Sequence, residues 1–186
     1  MSKINQNIFL IGPMGSGKTT IGRHLAKMLK LDFYDCDHEL ERLTGASVNL
    51  IFDVEGETGF RQRESNLLKQ LSAKKGALIS TGGGAVCSEQ NRRLLQSRGF
   101  VVYLKTSINH QLRRLSHDKS RPLLQAEDRM QRLVDLAHLR NPLYETTADL
   151  VFKTRNSTVY AGAKALSSAI LEQMDPLKRE KPHADS

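Results

Sequence analysis

Short apolar runs along the chain alternate with longer stretches in which apolar positions recur every three or four residues. NIFLIG (7–12), DFYD (32–35), ALIST (77–81), FVVYLK (100–105) and DLVFKT (149–154) are bounded by Gly, Pro or polar residues, and each reads as a strand. Between them the period changes to that of a helix. Residues 17–31 carry Ile21, Leu25, Met28 and Leu29 on one face, and a second helix from about Thr58 carries Phe60, Leu67, Leu68 and Leu71. Further helices are expected over 88–99, with Ser88 as N-cap, from Ser107, over 130–148, where Pro142 interrupts or kinks the helix, and over 157–174. Strands that alternate with helices predict an α/β fold, a parallel sheet covered on both faces.

Length and composition narrow this picture. At 186 residues, 39% hydrophobic and 26% charged, the chain suits one globular domain, expected over residues 1–174. No repeat or linker divides it, and the polar tail, 175–186, is expected to be disordered. The apolar run near the N-terminus is too short for a signal segment or a membrane span. Cys36 and Cys87 stand apart with no paired spacing, which fits a reducing cytoplasm. The net charge of +8 fits a nucleic-acid binder or a site that gathers cations around small anions. Aromatic content of 5% with no Trp gives no base-stacking platform, so no nucleic-acid partner is expected, and no membrane partner either.

The chemistry starts at GPMGSGKT (12–19), which matches G-x-x-x-x-G-K-[ST] directly between a strand and a helix. Gly12, Gly15, Ser16 and Gly17 form a loop whose backbone N–H groups turn toward phosphate oxygens, at a helix N-terminus that favours negative charge. In such a loop Lys18 reaches the β- and γ-phosphates, the Thr19 hydroxyl ligates Mg²⁺, and Thr20 is expected among the nucleotide-binding residues. The ligand is ATP, and Mg²⁺ goes with it. A short chain with one such loop and no evident N-K-x-D segment favours a small-molecule kinase over a GTPase or a motor.

Four further stretches carry polar groups suited to a second ligand. DFYDCDHE places Asp35 and Asp37 two apart, where strand alternation puts both at a crevice. They also read as solvated acids, or Asp37 as a helix cap. GFRQRES places Arg61 and Glu64 on one helix face, as site residues or as an exposed ion pair. ALISTGGG ends a strand with Ser80 and Thr81, where many ATP-binding sheets carry a magnesium acid, and follows them with Gly82, Gly83 and Gly84. Arg121 lies in the Arg-rich span SHDKSRPLLQAEDR, a lid or a surface loop over about 116–129, and Arg140 precedes Asn141 and Pro142.

Taken in order, GPMGSGKT, D-x-D, FRxxE, TGGG, RPLL and RNPLY resemble the shikimate kinases, P-loop proteins of the nucleoside-monophosphate-kinase-like fold. The resemblance spans about residues 8–171. It implies a five-stranded parallel sheet of order 2-3-1-4-5, a substrate-binding segment over about 36–64, a lid, and a monomer. It implies phosphorylation of the shikimate 3-hydroxyl by ATP, a step toward chorismate and aromatic amino acids. By the same resemblance Asp37 holds the reacting hydroxyl, Arg61 and Arg140 grip the carboxylate, and Gly83, flanked by Gly82 and Gly84, offers its backbone to a substrate hydroxyl. Lys18 and Arg121 neutralise the phosphates, Asp35 joins Thr19 at Mg²⁺, Arg114 and Arg155 bracket adenine, and Glu64 contacts substrate or orients Arg61. The alternatives are a kinase of another acceptor, such as gluconate, and a basic P-loop protein that binds nucleic acid without catalysis.

Overall fold

A computed structural model describes residues 4–116, 128–155 and 157–175. Among them five parallel strands form one sheet: β1 (Asn7–Ile11), β2 (Asp32–Asp35), β3 (Ala77–Ser80), β4 (Gly99–Lys105) and β5 (Leu150–Lys153). Their order is β2-β3-β1-β4-β5, as the resemblance implies. β1 is central, and its five residues are all buried. Ile8 and Leu10 face one layer, with α1 (Lys18–Leu29) and α7 (Val159–Met174), while Phe9 and Ile11 face the other, with α3 (Val48–Ser72) and α4 (Glu89–Arg98). Each such side chain, fully buried, contributes about 1.5–3 kcal/mol, so the two layers fix the sheet from both faces. The remaining described helices are α2 (Cys36–Thr44), α5 (Ile108–Leu115) and α6 (Arg129–Thr147), with a 3₁₀ turn at Ala85–Cys87.

Register depends on a few polar groups. Asn7 is buried, and its amide donates to Ser72 O and Lys74 O while accepting from Ala77 N–H at 3.0 Å. That side chain ties the end of α3 to the start of β3. The carbonyl of Leu10 accepts from both the N–H and the hydroxyl of Thr81, each at 3.0 Å, and so fixes where the glycine run leaves the sheet.

Three expectations change. The helix expected from about Thr58 begins ten residues earlier, at Val48, and is broken at Gly56, whose φ of 70° and ψ of −177° are non-helical. Residues 48–55 form too short a helical stretch to show a clear period. Ser47 caps it by accepting from Leu50 N–H at 3.2 Å, and Arg63 clamps it across the break with a two-pronged bond to Glu55. Pro142 does not interrupt α6, which runs through it to Thr147. Arg140 and Tyr144, buried on either side of the proline, anchor that stretch in the core. Asp35 and Asp37 do not sit together by strand alternation. Asp35 ends β2 and caps α2, accepting from His38 N–H at 3.1 Å, and Asp37 lies in the first turn of α2. Cys36 between them is buried, as core filling requires.

Candidate active site

All five strands run the same way, so their carboxyl ends share one edge of the sheet, the place where α/β folds hold ligands. Two adjoining cavities open there. The larger, about 970 Å³, is bordered by Gly15, Gly17, Lys18, Thr19 and Thr20 of the glycine loop and, across from them, by the β5–α7 connection. The loop follows β1 because its glycines adopt a backbone that other residues resist: φ is 145° at Gly12, 76° at Gly15 and 91° at Gly17. Gly12 and Ser16 are buried beneath the cavity. Gly17 offers no side chain to cap α1, and no acid occupies its first turn, which leaves the helix N-terminus suited to an anion. Lys18 Nζ donates to the carbonyls of Gly12 and Pro13 at 2.8 and 2.9 Å, across the mouth of the loop. Arg114 and Arg155 both border this cavity, and Arg114 Nη1 also donates to Gly15 O at 3.0 Å.

The acid missing from the end of β3 is found one strand over at the same height. Asp35 is in register with Ser80 across the β2–β3 ladder. Its Oδ2 accepts from the Thr19 hydroxyl at 2.5 Å, so two hard oxygen donors meet at the end of the phosphate loop. Such donors suit Mg²⁺, which takes one or two protein oxygens and completes its shell with water and phosphate.

The smaller cavity, about 280 Å³, lies beside the first. Met14, Asp37, Glu41, Gly82 and Gly83 border both, so these residues, from three parts of the chain, form the partition between them. Arg61, Glu64, Gly84 and Arg140 line the smaller cavity. Phe52 and Phe60, stacked with centroids 4.3 Å apart, supply an apolar wall, and the Arg61 guanidinium lies 5.2 Å from the Phe60 ring. Arg61 Nη1 donates to Glu64 Oε2 at 2.7 Å. Glu64 is 3% exposed and Arg140 7%, unusual depths for charged side chains. Burial pushes the Glu64 carboxyl above the usual carboxylate range, against the pull of Arg61. Burial works most strongly to lower the Arg61 pKa, but the Glu64 carboxylate together with Glu57 outweighs it and holds the guanidinium charged.

Among the described residues, three buried side-chain polar atoms have no hydrogen-bond partner: Asn49 Oδ1, Glu64 Oε1 and Arg140 Nε. All three belong to residues bordering the smaller cavity. Buried polar groups are otherwise satisfied almost without exception, so an acceptor, an acceptor and a donor gathered at one cavity mark a place built for a polar guest.

The glycine run is explained by space rather than by backbone angle. None of the three has a positive φ. A Cβ on Gly82 would overlap Glu64 Oε1, and one on Gly84 would overlap the Arg61 guanidinium. Gly83 has room, with its nearest atoms at 3.6 Å, and its carbonyl accepts from the Tyr144 hydroxyl at 2.6 Å. The flanking glycines therefore let the Arg61–Glu64 pair lie against the backbone.

The expected site residues thus come together around the two cavities, with the exception of Arg121, which lies outside the described residues. The sequence reading missed Asn49, Phe52 and Tyr144. Asn49 and Phe52 stand on the part of α3 before Gly56, where no helix was expected, and Tyr144 lay beyond the proline expected to disturb its helix. The Arg63 of FRQRES serves the fold, through Glu55, rather than the cavity.

Known proteins are similar to this chain in sequence and in fold. A family model described as shikimate kinase matches residues 14–175. The shikimate kinase of Shewanella frigidimarina is 52% identical over 169 residues, 91% of this chain and 96% of that protein. Among solved structures, the shikimate kinase of Acinetobacter baumannii in complex with shikimate superposes with a TM-score of 0.90 at 46% identity, over 92% of this chain and 96% of that one. The shikimate kinase of Aquifex aeolicus does so with a TM-score of 0.77 at 34% identity, over 90% and 97% of the two chains. The glycine loop after β1, the arginine-lined cavity beside it and these likenesses over nine-tenths of the chain lead to one statement: the chain belongs to the shikimate kinase family.

Proposed function

We propose that this protein transfers the γ-phosphoryl group of ATP to the 3-hydroxyl of shikimate. The observation that carries this reading is the shared partition. A phosphate-binding cavity and a small cavity with two buried or half-buried guanidinium groups meet at a boundary that includes Asp37, Gly82 and Gly83. A donor phosphate and an acceptor hydroxyl must meet at such a boundary.

The residues divide the work by their chemistry. Gly12, Gly15, Ser16, Gly17, Lys18 and Thr20 hold the phosphates, with Arg114 and Arg155 toward the base. Arg61 and Arg140 take the carboxylate of the acceptor, since planar guanidinium forks match it. Asp37 accepts a hydrogen bond from the reacting hydroxyl and so aims its oxygen at the phosphorus. Gly82 and Gly84 leave room for the grip, and the backbone of Gly83 faces both ligands. Thr19 and Asp35 would hold Mg²⁺, which when bound neutralises phosphate charge. Phosphoryl transfer asks the protein mainly for alignment and cationic neutralisation, and Lys18 and Arg121 supply the second. Arg121 would act from a lid over about 116–129. The working unit is taken to be a monomer, as the family resemblance implies. No described helix is long and apolar enough to cross a membrane, and the two cysteines are unpaired, in keeping with a cytoplasmic enzyme.

A coupled assay of ADP release with and without shikimate tests this. ADP release should depend on shikimate and on Mg²⁺, and gluconate in its place should give none. ADP release indifferent to shikimate would refute the assignment.

A further inference from the structure

The carboxylate grip and the contact to the reacting hydroxyl leave two unpartnered acceptors among the described residues of the smaller cavity, Glu64 Oε1, packed against Gly82, and Asn49 Oδ1. Asn49 stands in the first turn of α3, on a wall distinct from the glycine run. Its Oδ1 is buried and lacks a hydrogen-bond partner among the described residues. The segment that carries it is held at both ends. Glu41 accepts from Val48 N–H at 2.9 Å, Ser47 accepts from Leu50 N–H at 3.2 Å, and Arg63 grips Glu55 just before the Gly56 break. The backbone that carries Asn49 is thus held in place, with a side-chain acceptor that no described residue satisfies.

The chemistry of that acceptor limits its guest. An amide oxygen accepts hydrogen bonds and cannot donate them. An ionised carboxylate has no proton to give it and already has Arg61 and Arg140. The reacting hydroxyl has Asp37 at the partition, and Asn49 borders only the smaller of the two cavities. What remains on a polyhydroxylated ring acid is a hydroxyl that does not react. We infer that Asn49 Oδ1 accepts a hydrogen bond from a non-reacting ring hydroxyl of the acceptor, which makes Asn49 a specificity-determining residue of this site. The inference rests on the proposed reading of the cavity as the shikimate site. A site that buries an acceptor for a substrate hydroxyl rejects an analogue lacking that hydroxyl, because the acceptor is then left unpaired.

Three proteins and three acceptors test it: wild type, Asn49→Ala and Asn49→Leu, each with shikimate, 4-deoxyshikimate and 5-deoxyshikimate. Leucine keeps the size of the side chain and removes its acceptor. Wild type should discriminate against one deoxy analogue by about tenfold or more in kcat/KM. Both variants should raise KM for shikimate about tenfold, leave KM for ATP within about twofold, and lose the discrimination against that one analogue. Melting temperatures near wild type would place the effect in the site rather than the fold. The inference is overturned if both variants keep the wild-type KM and discrimination, or if Asn49→Leu restores what Asn49→Ala loses, since shape and not the acceptor would then matter. Wild type that fails to phosphorylate shikimate would instead bring down the proposed function itself, so the two failures are distinguishable.

Discussion

Replacing Gly82 by alanine puts a methyl group where Glu64 Oε1 now lies. The next nearest atoms are Glu64 Cδ at 3.5 Å and Asp37 Oδ1 at 3.6 Å, so all three nearest belong to side chains and none to the backbone. The fold can therefore accept the methyl group if Glu64 gives way. Glu64 is 3% exposed and held by Arg61 at 2.7 Å, so giving way loosens the hydrogen bond that aims the guanidinium. A hydrogen bond to a charged group is worth about 1.5–3 kcal/mol. At about 1.4 kcal/mol per factor of ten, its loss corresponds to roughly 10–150-fold. Gly82→Ala should thus lower kcat/KM for shikimate by up to that factor, change KM for ATP little and lower the melting temperature by several degrees, with the protein still folded at the assay temperature. Gly84→Ala, whose methyl meets the Arg61 guanidinium, should behave likewise. Gly83→Ala, with every neighbour at 3.6 Å or beyond, should have the mildest effect of the three. Steady-state kinetics in each substrate and a thermal melt give the answer. If Gly83→Ala proves the most damaging, or if Gly82→Ala loses activity only by unfolding, the spatial account of the glycine run is wrong.

Tyr144→Phe removes the hydroxyl that donates to Gly83 O at 2.6 Å inside a side chain 1% exposed. Stability should fall by about 1 kcal/mol in denaturant unfolding, with a rise in KM for shikimate; no change in either would show that the bond does not position Gly83. Glu64 holds its proton more tightly folded than unfolded, because burial raises its pKa from 4.5 against the opposing pull of Arg61. Its contribution to stability is fully present below pH 4.5 and is lost as pH rises through the window from 4.5 to the raised folded value. Glu64→Gln should flatten that part of the stability–pH curve, and an unchanged slope in urea unfolding across those pH values would refute the assignment. Asp35→Asn keeps the cap on α2, since asparagine also accepts from a backbone N–H, but weakens a donor for a hard cation. The Mg²⁺ concentration for half-maximal rate should rise several-fold with the melting temperature unchanged; an unaltered Mg²⁺ dependence would remove Asp35 from the metal site.

The glycine loop was legible at once because its chemistry is local. Three positive-φ residues, a lysine and a threonine must be adjacent in sequence to wrap a phosphate, so GPMGSGKT carries its own geometry. The inner strands were legible for a similar reason, since a strand buried on both faces is a nearly continuous apolar run, as Ile8–Ile11 of β1 is. The smaller cavity was legible only through resemblance. Arg61, Glu64, Gly82, Gly84 and Arg140 come from three separate parts of the chain, and nothing in an isolated FRQRES or HLRNPLY distinguishes a ligand-binding arginine from a solvated one.

The sequence by itself determined a parallel α/β sheet and a nucleotide-phosphate loop after its first strand, because alternating apolar periods and local backbone chemistry suffice for both. Tertiary structure alone decided the rest. The β2–β3 register brought Asp35 level with Ser80, and a break at Gly56 aimed the first part of α3 at the cavity. The bulk of two side chains 18 and 23 positions away decided why Gly82 and Gly84 carry no Cβ. Volume exclusion between distant residues leaves no period and no spacing along the chain; it exists only where the folded backbone brings them together.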